Sequence, residues 1–198
     1  MDTKNIELGG RIPLSIPESL SPSQESLYAA INEQAVPWAQ AAGFVAKLDD
    51  GRLIGPFNVA LQSPEIGAAF WKLQSVEGER TSLNERVRQV VILTVGSAWK
   101  SAYELYAHMA VARKAGFTEE AVLALAKGEQ AAGLTEQEKL AQKLIKQLTL
   151  DHQVSQETFD QAKVTFGTRG IVDMLFLAGC YDIVCSLLNT FEVPVPGN

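Results

Sequence analysis

The stretch QVVILTVGSAWKSAYELYAHMAVARKAG, residues 89–116, decides how this chain folds. Its opening run, residues 90–95 (VVILTV), is β-branched and in isolation suits a strand. No alternation of apolar and polar residues surrounds it, and its flanks favour a helix buried on all sides. Further on, Glu104 and His108 stand four residues apart, which sets both side chains on one face of a helix. A carboxylate so placed can orient an imidazole, the arrangement behind many general acids and bases. Gly116 then sits where a helix C-terminal glycine belongs.

Outward from this stretch the chain reads as helix after helix. Residues 1–20 hold Gly9, Gly10, Pro13 and Pro17 and read as an irregular N-terminal arm. Ser21-Pro22 is an N-cap followed by proline at the first helical position, opening a helix to about Gln34 that Pro37 should interrupt or kink. A loop is expected over residues 48–58. Ser63-Pro64-Glu65 repeats the cap and starts a helix through Leu73 to Val76, ended near Gly78. Ser82 with Glu85 reads as a capping box for the next helix. Thr118, with Glu119 and Glu120 in the first turn, caps another. Thr135 and Glu138 form a second box leading to about Leu148. Ser155 and Glu157 open a helix that Gly167 ends, and Thr168 begins a long apolar one to about Phe191. Pro194 and Pro196 stop the chain from continuing it. The expectation is an all-α domain over residues 21–198, with about eight helices and no internal linker long enough to divide it.

Composition bounds the function classes. A chain of 198 residues fits one domain, able to bury roughly 70% of its unfolded surface. With 46% hydrophobic residues and a mean hydropathy of +0.02, it has apolar surplus for a subunit contact as well as a core. A net charge of −6 argues against a nucleic-acid partner. The most apolar segment, Ile171 to Leu188, carries Asp173 and Asp182, so no membrane span is expected. The N-terminal residues show no basic region followed by an apolar stretch, and a cytoplasmic location is the default expectation. Cys180 and Cys185, five apart on a helix, point to different faces and read as buried free thiols. There is no C-x-x-C.

Residues 89–93 (QVVIL), 101–108 (SAYELYAH) and 112–116 (ARKAG) together resemble the signature of the carboxymuconolactone decarboxylase-like proteins, which include the alkylhydroperoxidase D type. Residues 55–67 (GPFNVALQSPEIG), 148–159 and 167–196 resemble flanking segments of the same family, so the likeness runs from about residue 20 to 195. It implies the alkylhydroperoxidase D-like (AhpD-like) helical bundle, homo-oligomeric as a dimer, trimer or hexamer, with the active cavity near the motif helix. The peroxidase branch has a C-x-x-C whose two positions fall on Ser101 and Glu104, a histidine at His108 and an upstream glutamate at Gln89. A hydroxyl and a carboxylate cannot form a mixed disulfide, so peroxide reduction by that route is not expected here.

The surviving residues suggest a cofactor-free lyase or isomerase acting on a small carboxylated lactone or an enolisable acid. His108 would be the general acid/base, Glu104 would fix its tautomer, and Gln89 would keep a hydrogen-bonding group where the family has a proton carrier. Ser101, Tyr103 and Tyr106 offer donors to a developing oxyanion. Arg86 or Arg88 could pair with a substrate carboxylate. Trp38 and Phe57 are apolar walls by the resemblance. Against this stands the plain reading of each residue. A Glu–His pair at this spacing is often only a helix contact worth a few tenths of a kcal/mol, arginines are often surface charges, and His152 lies in a polar connection. Trp71, Trp99, Phe166 and Phe176 fall on apolar stripes and read as core. Two ligands do not make a metal site. The alternatives are a non-catalytic, ligand-binding homo-oligomer on the same scaffold and, weakest, a peroxidase using Cys180 or Cys185.

Overall fold

The computed structural model describes residues 8–197. They form eight α-helices: α1 Pro22–Ala42, α2 Pro56–Ala60, α3 Pro64–Arg80, α4 Glu85–Trp99, α5 Ala102–Lys114, α6 Glu119–Ala126, α7 Glu136–Lys146 and α8 Gln156–Thr190. Among the described residues the one β-type pairing is an isolated bridge between Lys47 and Leu53. The all-α expectation holds.

The β-branched run is the centre of the molecule. Every residue of α4 from Gln89 to Gly96 is buried, and α4 packs against α5, α6, α7 and α8. Neighbours on all sides offset the modest helix penalty of its valines and isoleucine. Lys100 takes a left-handed conformation (φ 51°) and turns the chain from α4 into α5. Three core clusters result: α1, α2 and the start of α5 enclose the first, α4, α7 and α8 the second, and α4 with α6 the third.

Several helix ends fall where the sequence sets them. Ser21 and Gln24 form a reciprocal capping box, Thr118 accepts from the Ala121 N–H, and Ser155 accepts from the Thr158 N–H. Thr135 accepts from the Glu138 N–H at 3.3 Å while Glu138 Oε2 accepts from the Thr135 N–H at 2.9 Å. Thr135→Ala is expected to cost about 1 kcal/mol in urea denaturation, with Thr135→Ser nearly neutral. An unchanged midpoint for the alanine variant would show that the box contributes nothing. Gly167, at φ 67° and ψ 174°, breaks α8 as expected, and the two halves abut without a loop.

Elsewhere tertiary contacts override local signals. α1 continues through Pro37 to Ala42, held by Ile31, Ala35, Val36 and Ala39 in the core on both sides of the proline, and Gly43 at φ 91° ends it. α3 continues through Gly78 to Arg80, bringing Glu77 against Arg88 of α4. The cap of α4 is Asn84, not Ser82, whose N–H and hydroxyl both donate to Asp173 of α8 at 2.8 and 2.7 Å. α7 ends at Lys146 and passes into a π-turn over Gln147–Asp151. The expected loop at 48–58 includes the start of α2. From residue 8 on, the irregular arm is tied down: Arg11 N–H donates to Phe191 O, and Asn58 holds the backbone of Pro13 and Ser15. Residues 1–7 of that arm lie outside the described residues.

By length and hydropathy α8 meets what a membrane span requires. In this fold its Met174, Leu177, Ala178, Cys185 and Leu188 face α4 and the bundle interior. The opposite stripe of Val172, Leu175, Phe176 and Ile183 is exposed, so Phe176 is not core. Trp99 is also half-exposed, its indole N–H donating to Asp182 at 2.7 Å, while Phe166 packs partly buried on the second cluster.

Candidate active site

A cavity of about 360 Å³ opens beside the middle of α5. α5 contributes Tyr103, Glu104, Ala107 and His108, the i, i+1, i+4, i+5 pattern of one helix face. α3 supplies the facing wall through Gly67, Phe70, Trp71, Gln74, Ser75, Gly78 and Glu79, again a helical stripe. α1 adds Trp38, α2 adds Phe57, and α8 adds Tyr181, Val184 and Leu187. Among the described residues no lysine or arginine lines the cavity, and the ionisable lining groups are Glu79, Glu104, His108 and two tyrosines.

Glu104 and His108 are 3% and 4% exposed, with Glu104 Oε1 at 3.3 Å from His108 Nε2. The contact is close but not aligned as a hydrogen bond, and Oε1 has no hydrogen-bond partner among the described residues. Behind the imidazole, Nδ1 lies 3.0 Å from Gln89 Oε1. The Gln89 amide NH₂ donates to Glu85 Oε1 at 2.8 Å, so its oxygen is left to accept. His108 Nδ1 therefore carries the proton, and Nε2 presents a lone pair toward Glu104 and the cavity. Gln89 fixes the tautomer, the role the sequence had suggested for Glu104.

Burial sets the protonation. Desolvation pushes the Glu104 carboxyl up to about 8 and, with the nearby Arg88 charge, holds the His108 imidazole down to about 3. At neutral pH the pair holds a protonated carboxyl beside a neutral imidazole. Tyr181 meets the His108 ring edge-on at 4.8 Å between centroids, and Trp38 lies tilted at 5.9 Å.

The remaining residues suggested by sequence divide. Trp38, Phe57 and Tyr103 line the cavity, but the Tyr103 hydroxyl donates to Val45 O at 2.9 Å. Tyr106 does not line it; its hydroxyl accepts from the Val45 N–H at 3.1 Å, so the two tyrosines brace one peptide segment. Ser101 is fully buried behind α5 and faces the thiol of Cys185. Arg86 is committed to Glu138 (Nε to Oε1 2.7 Å) and to Gly116 O (3.0 Å), with its guanidinium 3.8 Å over the Phe117 ring. Arg88 is buried against Glu77, with Glu85 at 3.4 Å. Neither arginine lines the cavity, so the expected clamp for a substrate carboxylate is absent from the described residues. Tyr181 and Trp71 were not legible as site residues, because only the docking of α8 and α3 onto α5 brings them there. The Trp71 indole N–H is buried without a hydrogen-bond partner among the described residues.

Cys180 and Cys185 are both free, and neither lines the cavity. Burial pushes the Cys180 thiol up to about 11 and raises that of Cys185 further, the reverse of what a reactive thiol requires. Among the described residues no group of three or more His, Cys, Asp or Glu is placed to hold a metal ion.

Residues 64–147 match the model of the carboxymuconolactone decarboxylase family. Solved structures carry the same fold. An uncharacterized peroxidase-related protein from Silicibacter sp. TM1040 superposes with a TM-score of 0.76 at 15% identity, covering 100% of this chain and 96% of that one. A second such protein, from Ralstonia eutropha JMP134 and described as an alkylhydroperoxidase AhpD core, gives 0.72 at 13% identity over 96% and 93%. The debrominase Bmp8, in complex with 2,3,4-tribromopyrrole, gives 0.70 at 13% identity over 99% and 95%. No curated protein matches the chain significantly. These structures show that the chain has the AhpD-like fold, and the segment that matches the carboxymuconolactone decarboxylase model lies at its centre.

Proposed function

We propose that the protein is a cofactor-free lyase or isomerase that moves a proton on a small enolisable compound. The observation that carries this reading is the buried Glu104–His108 pair, both facing one cavity in complementary protonation states. His108 Nε2 takes a proton from the carbon next to a carbonyl while the Glu104 carboxyl gives one to the carbonyl oxygen, leaving the enol. The proton on Nε2 then crosses the 3.3 Å to the Glu104 carboxylate, which restores the pair. If the substrate carries a labile carboxyl, loss of carbon dioxide leaves the same enolate, Glu104 protonates it, and a proton from water restores the Glu104 carboxyl. A debrominase on this scaffold is consistent with an active enzyme. The exposed α8 stripe of Val172, Leu175, Phe176 and Ile183 supports self-association on a face away from the cavity, and the apolar composition agrees with it.

The test is deuterium incorporation in D₂O. Small cyclic ketones, enones and lactones, with 4-carboxymuconolactone among them, are followed by proton NMR, and carbon dioxide release is recorded for the acid. Glu104→Gln and His108→Ala are each expected to slow exchange by about 10²-fold or more while keeping the fold. Since the donor is the protonated carboxyl, the rate should fall as pH rises through about 8. Exchange that proceeds equally in both variants, or no exchange of any compound by the unsubstituted protein, would remove the proposal.

A further inference from the structure

We infer that the cavity selects uncharged single-ring compounds bearing an enolic or phenolic O–H, and that it disfavours carboxylates. The inference rests on the proton-transfer reading of the Glu104–His108 pair and assigns the substrate class for it. Three observations carry it. First, the cavity has no cationic lining residue, and Arg86 and Arg88, the arginines of the adjoining helix α4, are spent on Glu138, Glu77 and Glu85. A carboxylate entering there loses its water and meets Glu79 and Glu104 instead of a counter-charge. Second, the walls are ring-shaped surfaces: Trp38, Phe57, Trp71 and Tyr181 surround the pair, with Phe57 and Trp71 edge-to-face at 6.2 Å. Third, Glu104 is almost fully buried, lines the cavity, and leaves Oε1 without a donor. An O–H of a ligand seated against this carboxyl supplies the missing hydrogen bond once a small rotation of the side chain turns Oε1 toward the cavity.

The pieces agree with one another. An enol oxygen held against Glu104 is the oxygen that the carboxyl protonates in the reading above, so recognition and chemistry use the same atom. The volume of about 360 Å³ accommodates a substituted ring.

Three probes of nearly equal shape test this by titration calorimetry: 4-methylphenol, 4-methylanisole and 4-hydroxybenzoate. The phenol is expected to bind about tenfold more tightly than the anisole, which lacks the donor, and the hydroxybenzoate more weakly than either. Glu104→Leu should erase the difference between phenol and anisole, while the unsubstituted protein with the three probes keeps the test sound if that variant fails to fold. Equal binding of phenol and anisole, tightest binding of the hydroxybenzoate, or binding of none overturns the inference. Selective phenol binding with no deuterium exchange in any enolisable compound would overturn the proton-transfer reading alone. Exchange that depends on His108, with 4-hydroxybenzoate preferred, would overturn the substrate class alone.

Discussion

Alanine at position 55 is expected to destabilise the protein by about 3 kcal/mol or more, enough to unfold a domain of ordinary stability or nearly so. Gly55 sits at φ 67° and ψ −149°, a conformation reserved almost wholly for glycine. A methyl group there would also lie 2.4 Å from Tyr103 Cζ and 2.5 Å from its hydroxyl oxygen. Tyr103 cannot step aside, because its ring is buried and its hydroxyl is anchored to Val45 O. The strain therefore passes directly into the cavity wall. Gly133→Ala is the control: Gly133 also has positive φ (78°), but no atom lies within 4 Å of the added methyl. It should cost about 1 kcal/mol, from backbone strain alone. Urea denaturation of the two variants separates the terms, and equal losses would show that the Tyr103 contact is unimportant.

Arg88→Met is expected to cost about 3–5 kcal/mol, because it strands the buried carboxylate of Glu77. The double variant Arg88→Met/Glu77→Leu should recover most of that loss, since two apolar side chains can fill the space of the ion pair. The same change reaches the site: the Arg88 charge helps hold the His108 imidazole below its usual range, so its removal should raise the His108 titration. A single variant as stable as the parent would mean that solvent screens the pair fully. An unmoved His108 signal in an NMR titration would remove Arg88 from the electrostatics of the site.

The parts of the fold that sequence disclosed are those governed by local chemistry. The caps at Ser21, Thr118, Thr135 and Ser155 and the break at Gly167 each follow from one residue and its near neighbours. The shared face of Glu104 and His108 follows from helical spacing alone. What escaped depends on distant partners. Pro37 sits inside a helix because the core grips both flanks, and Ser82 leaves its capping role because Asp173 competes for it. Arg86 and Arg88 looked available because their partners lie on other helices, Glu138 on α7 and Glu77 on α3, and no local pattern pairs them. Trp71 passed for core because a stripe facing a cavity has the same periodicity as one facing a neighbour.

That stripe on α3 bears on how anything reaches the pair. α3 buries only Gly67, whose missing side chain lets the helix approach Ala60 O, where a methyl would come within 2.7 Å. The rest of its inner face is shared between the hollow and contacts with α1, α2 and α8. With so little of it buried, α3 opens at lower free energy than α4, whose residues from Gln89 to Gly96 are all buried behind the site. Opening of α3 would uncover the hollow, while α5, packed against α4 and α6, holds Glu104 and His108 in place. Access to the cavity and the geometry of the Glu104–His108 pair thereby rest on different helices.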